Sequence, residues 1–234
     1  MILRDRALRL ARVGRVITAL ALLGLAGVYV RALEFTAVEM SQGPAQKIFY
    51  VHVPAAWGAL LSIMVCGLLS AVYLWLKDRR IDLAAAASAE VGVAFGVVML
   101  TTGPIWGKPI WGTWWTWDAR LTSTLFLFLL FVGYIVLRGV LTDPGVRARF
   151  SAVIGIMGLV LAPFIHLTVY LFRTLHPAPI VLKPSAPSLP GDMLVTLLSS
   201  VGVFTLLYVG FVMQRYALGL LRELREEELA GAAR

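Results

Sequence analysis

Residues 121–141 read LTSTLFLFLLFVGYIVLRGVL. About 20 mostly apolar residues suffice to cross a bilayer as a helix. In lipid a helix is the form that satisfies its own backbone groups. Outward from this run, five more stretches qualify, roughly 13–33, 55–76, 84–103, 150–172 and 192–213. The chain is 59% hydrophobic with a mean hydropathy of +0.84, against roughly 45–50% apolar residues in soluble domains. The expected fold is therefore all-α, a polytopic integral membrane protein of six transmembrane helices. Spans and short loops use nearly all of the 234 residues. One six-helix transmembrane domain over 1–234 is expected, with no separate soluble domain.

Charge orients it. Residues 1–15, 77–83, 138–149 and 214–234 carry fifteen of the 21 Lys and Arg residues, from Arg4 to Arg234. The opposite side carries six: Arg31 at the end of span one, and Lys47, Lys108, Arg120, Arg173 and Lys183 in the connections about 34–54, 104–120 and 173–191. The positive-inside rule puts both termini in the cytoplasm. A nucleic-acid partner is a poor account of the net +8, because the cations are split among four short segments facing a lipid bilayer. Span one has a basic start and an apolar core, as a signal peptide does. Its length and the poor cleavage site at Arg31-Ala32-Leu33 make it an uncleaved anchor. Residues 215–234, mixing Arg, Glu and Leu, read as a short amphipathic or frayed cytoplasmic helix. The stretch 177–190, PAPIVLKPSAPSLP, is too proline-rich for a regular helix and reads as a stiff outer loop.

Just upstream of 121–141 stands WGKPIWGTWWTWDAR, residues 106–120, with five of the seven tryptophans: Trp106, Trp111, Trp114, Trp115 and Trp117. Read as a helix, Trp111, Trp114, Trp115 and Asp118 share one face. That face is an aromatic plate ending in a carboxylate, suited to a flat aromatic ligand at the membrane surface. The plainer reading is an interfacial aromatic belt, although belts scatter their tryptophans more widely.

Two of the three histidines fall on the same side, His52 in the first outer connection and His176 in the third. Two neutral imidazoles from different loops suit a low-spin haem iron, one on each face. Each alone reads as an ordinary interfacial histidine; the pairing beside the tryptophans favours ligation. His166, in span five three residues after Pro163, is an alternative ligand or supporting group. Glu90, in span three, carries no site assignment. Zinc needs about four close ligands, and the single cysteine, Cys66, lies mid-span, so neither an internal disulfide nor a thioether-bound haem is expected within the chain. Haem propionates need cations. Arg120 is nearest the plate and Arg173 precedes His176 by three, and each offers a bidentate fork. Asp118 either orients a ligand or partner, or caps span four.

The segment Trp111-Gly112-Thr113-Trp114-Trp115-Thr116-Trp117-Asp118-Ala119-Arg120-Leu121-Thr122 resembles the "WWD" signature of haem-handling membrane proteins. Lys47-Ile48-Phe49-Tyr50-Val51-His52-Val53-Pro54-Ala55-Ala56-Trp57 is similar to the hallmark of one branch, the cytochrome c maturation protein C family (CcmC, haem exporter protein C). The resemblance covers most of the chain. It implies non-covalent haem b at the outer face of the bacterial inner membrane, with His52 and His176 as axial ligands. It implies Trp114, Trp115 and Asp118 as the core of a haem and chaperone platform, with Arg120 in the same signature. It also implies delivery to a periplasmic haem chaperone (CcmE), and company from a small membrane subunit (CcmD) and an ATP-binding cassette pair (CcmA, CcmB). On this view the haem lies on a shelf at the membrane edge rather than in a deep cavity, and the protein is a carrier, not an enzyme.

Two other classes remain open. A permease subunit of an ATP-driven exporter is compatible with six spans, and the chain carries no Walker motif of its own. It leaves the outer tryptophans and paired histidines unexplained. A small haem b electron-transfer subunit would bury its ligands within the bundle, whereas these histidines flank spans.

Overall fold

A computed structural model describes residues 2–181 and 183–232, so Arg234 of the basic inner set and Leu182 of the third outer loop lie outside the described residues. The described chain is all-helical: α1 (Ile2–Val30), α2 (Phe49–Leu76), α3 (Arg79–Trp111), α4 (Ala119–Val140), α5 (Pro144–Leu171) and α6 (Gly191–Ala232). A π-helical turn, Arg31–Phe35, extends α1, and a 3-10 turn, Gly43–Ile48, leads into α2. Six helical segments are long and apolar enough to cross a membrane.

The short connections are written in local chemistry. Lys77, in the left-handed region at φ 56°, closes α2, and the Asp78 carboxylate caps α3 by accepting from the Arg80 N–H. Asp143 caps α5, with Pro144 at the first helical position. Both are favoured start signals, since a carboxylate satisfies free N–H groups and proline has none to lose. These two turns lie at the same end of the bundle as the start of α1 and the end of α6; Arg79 of α3 pairs there with Glu223 of α6.

Helix α2 is central, packed on α3, α5 and α6, while α1 lies along α6 and α4 against α3 and α5. Membrane helices approach closely where side chains are small. At Gly14 a Cβ would stand 2.9 Å from the Gly210 carbonyl oxygen, and at Gly67 one would stand 2.8 Å from that of Gly155. These crossings seat α1 on α6 and α2 on α5.

The helices overrun the sequence expectation at several points. His52 is not in a loop: it sits on the first turn of α2, which runs through Pro54. Proline removes the donor that would have reached the Tyr50 carbonyl, and the Ser200 hydroxyl of α6 supplies it instead at 2.7 Å. Likewise α3 continues past Pro104 and Pro109 to Trp111. The C-terminal stretch is no separate helix but a continuation of α6 to Ala232.

Candidate functional site

The end of the bundle that carries the tryptophans encloses a cavity between α2, α3 and α4, closed on one side by α5 and by the 172–190 loop. Its empty volume is about 1220 Å³, counting the part open to the outside. His52, Trp106, Trp111, Trp114, Trp115, Arg120 and His176 all line it. It also descends. Ile63, Phe131 and Ile165 form its floor, and from His52 to Ile63 is about 16 Å of helix rise, roughly half of a ~30 Å hydrocarbon core. The expected shelf is instead a shaft. Small residues, Ala56 and Ala59 on α2 and Gly92, Gly96, Gly103 and Gly107 on α3, recur along its wall.

The tryptophan segment is not a helix between 112 and 118, so the single-face plate read from 3.6-residue spacing does not form. Gly112, at φ 73°, takes the left-handed cap that ends α3, its N–H bonding the Lys108 carbonyl at 3.0 Å. The Thr113 hydroxyl donates to the Trp115 carbonyl at 3.0 Å, holding the loop in a turn. The tryptophans are gathered by this loop rather than by periodicity. Trp106 is buried on α3, 6.3 Å from Trp111 and 5.8 Å, edge-on, from the His52 ring; its indole N–H donates to Gln42 Oε1 at 3.1 Å. Trp114 is 57% exposed at the rim. Trp117 is 76% exposed and outside the lining, packed edge-on against Trp115.

Asp118 caps α4. One oxygen accepts from the Arg120 and Leu121 N–H groups at 3.0 Å, the other from the Thr116 hydroxyl at 2.9 Å. Burial pushes its carboxyl upward, but bonds from Leu121, Thr116, Thr174 and Leu175 outweigh that and hold it below the ordinary range.

The two imidazoles are held in the same tautomer. The Thr102 hydroxyl donates to the Val98 carbonyl at 2.7 Å, and its oxygen stands 3.1 Å from His52 Nδ1. Its proton has the Val98 carbonyl and, at 3.3 Å, the Met99 carbonyl as acceptors, which leaves the hydroxyl oxygen to accept from His52 Nδ1–H, the tautomer that also suits the Met99 carbonyl near the ring. His176 Nδ1 lies 2.9 Å from the Pro177 carbonyl oxygen, which can only accept. Each Nε2 is thereby left with its lone pair, the state a metal ligand needs. Burial, then the nearby Arg120 guanidinium, lowers the His176 pKa to about 4, with the Pro177 carbonyl opposing. The ring is neutral at pH 7. Among the described residues no group of three or more His, Cys, Asp or Glu is arranged to hold a metal ion; two imidazoles and an aromatic wall are the donor set.

Among the described residues, Arg120 Nη1 and Trp115 Nε1 are buried without hydrogen-bond partners. A buried guanidinium nitrogen left unpaired is costly, and a carboxylate entering the cavity would satisfy it. Arg173 is exposed and outside the lining; His166 is half-buried and also outside it, its ring leaning on Tyr170 at 6.5 Å. Glu90 pairs with Arg215 of α6. Cys66 is buried against α5 beneath the cavity. Sequence reasoning missed Thr102, Gly103, Gln42 and the cavity floor. The His52–Thr102 pair is 50 residues apart with no motif joining its members.

A family model described as Heme exporter protein C matches residues 5–230. The chain belongs to that family. Heme exporter protein C of Haemophilus influenzae is 37% identical over 207 residues, covering 87% of this chain and 82% of that protein. The Bradyrhizobium diazoefficiens protein of the same name is 41% identical over 175 residues, 73% of this chain and 65% of its own length. That of Escherichia coli K12 is 41% identical over 145 residues, 61% and 58% respectively.

Proposed function

We propose that this chain is a haem-binding membrane protein of cytochrome c maturation, in which His52 and His176 ligate the iron of non-covalent haem b. The observation that carries this is the pair of imidazoles, from a helix and a loop, that line one aromatic cavity with both Nδ1 atoms tied back and both Nε2 atoms free. Bis-imidazole ligation suits a low-spin iron. Trp111, Trp114 and Trp115 cover the ring, and Arg120 meets a propionate with its unpaired guanidinium nitrogen. Arg173 and Trp117, outside the lining, form with Asp118 the outer surface on which a chaperone would dock. Relatives named Heme exporter protein C support the haem assignment.

The chain works as a single six-helix domain in the bacterial inner membrane, with both termini cytoplasmic and the haem site periplasmic, as the distribution of cations favours. Its role is to hold haem and pass it on to a periplasmic chaperone of the CcmE type, beside a small CcmD-type subunit and the CcmA and CcmB transporter pair. It is a carrier and not an enzyme.

The test is the absorption spectrum of detergent-purified protein, wild type beside His52→Ala and His176→Ala. A low-spin haem signal that weakens or shifts in both variants, and not in His166→Ala, is the expected result. Wild-type protein that takes up no haem, even when haem is added, would overturn the assignment and favour a permease.

A further inference from the structure

The two imidazoles share a tautomer but not the group that enforces it. His176 donates its Nδ1–H to a backbone carbonyl within its own loop, a partner that travels with it. His52 Nδ1 stands 3.1 Å from a side chain on a different helix, the Thr102 hydroxyl of α3, with the Met99 backbone carbonyl also acting on the ring. Thr102 accepts there, its own proton being directed to the Val98 carbonyl at 2.7 Å and the Met99 carbonyl at 3.3 Å. The next residue completes the seat. At Gly103 a Cβ would stand 3.1 Å from His52 Cε1, so the glycine leaves just the room the ring occupies. Trp106 closes the seat from the following turn.

We propose that Thr102 is the positioning residue for His52: its hydroxyl fixes the tautomer and ring orientation of that ligand and sets how strongly it donates to the iron. This rests on the haem assignment made above. A hydrogen-bond acceptor behind a ligating imidazole orients it and raises its basicity. A hydroxyl is a weaker acceptor than the amide carbonyl behind His176. His176 would then be the stronger donor to an iron bound here, and His52 the one whose donation depends on a side chain. Of the two, the His52 bond is the one tuned by a replaceable side chain.

Neighbouring Thr101 supplies the control. Its hydroxyl makes the same bond one residue earlier, to the Val97 carbonyl at 2.8 Å, and it does not line the cavity. Full-length protein in detergent would be loaded with haem b as Thr102→Val, Thr102→Ser and Thr101→Val beside wild type. Haem affinity, the low-spin spectral signature and the midpoint potential of the bound iron would be read for each. For Thr102→Val we expect affinity lower by roughly 10-fold or more, as is typical when such a supporting partner is lost. Its low-spin signature weakens and its potential moves positive, since a less basic imidazole favours ferrous iron. Thr102→Ser and Thr101→Val behave as wild type. Complete loss of haem from Thr102→Val alone, with the other two loaded, supports the same conclusion. A Thr102→Val protein matching wild type in potential and spectrum overturns it. So does an equal disturbance by Thr101→Val, which would mark a general effect on α3. Wild-type protein that binds no haem would instead sink the haem assignment itself.

Discussion

Arg120 and Arg138 stand about five turns apart on α4, one near each end of the bundle, and they are treated in opposite ways. Arg138 is closed. It makes a bidentate pair with Asp82 of α3, at 2.6 and 2.9 Å, and lies over the Tyr134 ring at 5.8 Å. Arg120 is open, lining the cavity with a buried nitrogen that has no partner among the described residues. The same contrast extends to the neighbourhoods. Toward the Arg138 end Arg79 pairs with Glu223 and Arg215 with Glu90. At the cavity end the chain supplies imidazoles, indoles and a guanidinium, and spends the nearest carboxylate, Asp118, on capping α4 and holding Thr116. Arg138 uses its charge to join two helices, whereas Arg120 turns a buried nitrogen toward the cavity.

The largest expected effect tests the closed end. Removing one partner of a buried ion pair costs about 3–5 kcal/mol, because the other charge is left stranded. Asp82→Ala should therefore lower the thermal unfolding midpoint in detergent sharply. Asp82→Ala combined with Arg138→Met should recover much of the loss. A single variant as stable as wild type would show that the pair is not structural, and the contrast between the two arginines would collapse.

Arg120→Ala should do the reverse. The folded chain loses no ion pair, so the unfolding midpoint stays near the wild-type value. Haem affinity should fall roughly tenfold or more, since a hydrogen bond to a charged group is worth about 1.5–3 kcal/mol and each 1.4 kcal/mol is tenfold. Equilibrium haem titration of Arg120→Ala beside Arg173→Ala sharpens the point, because Arg173 is outside the cavity lining. Equal losses in the two would remove the special place of Arg120.

Most of this contrast was legible in the sequence at the level of spans, and little of it at the level of contacts. Six apolar runs are a one-dimensional signal, and all six became helices. That Arg120, the tryptophans and two histidines gather at one end follows from counting spans. The pairing of Arg138 with Asp82 does not, because hydropathy carries no register between helices. Prolines misled. Pro54, Pro104 and Pro109 mark helix ends in water, yet here α2 and α3 run through them, and at Pro54 a serine on α6 repairs the broken bond. Gly112, as the left-handed cap of α3, breaks the 3.6-residue spacing that would put the tryptophans on one face. The depth of the cavity was hidden for another reason. Glycine and alanine on a span read equally as close packing or as empty space, and only the neighbouring helices decide which.

The smallest effect concerns protons at the open end. His176 is held neutral down to about pH 4, first by burial and then by the Arg120 charge. An unfolded chain takes that proton near pH 6.5, so between 6.5 and 4 the unfolded state binds more protons than the folded one. The stability contribution is full above pH 6.5 and is lost as pH falls through 4. Haem occupancy, followed by the low-spin absorption band, should accordingly stay level from pH 8 to about 5 and fall only as pH approaches 4. In Arg120→Ala the repelling guanidinium is gone, so the fall should begin at higher pH, whatever the affinity at neutral pH. Wild-type loss beginning near pH 6.5 would mean that His176 is solvated like a free imidazole and that the outer arginine does not act on it. An unshifted profile in Arg120→Ala would leave burial as the whole cause, and the open end would then owe its chemistry to its walls rather than to its charge.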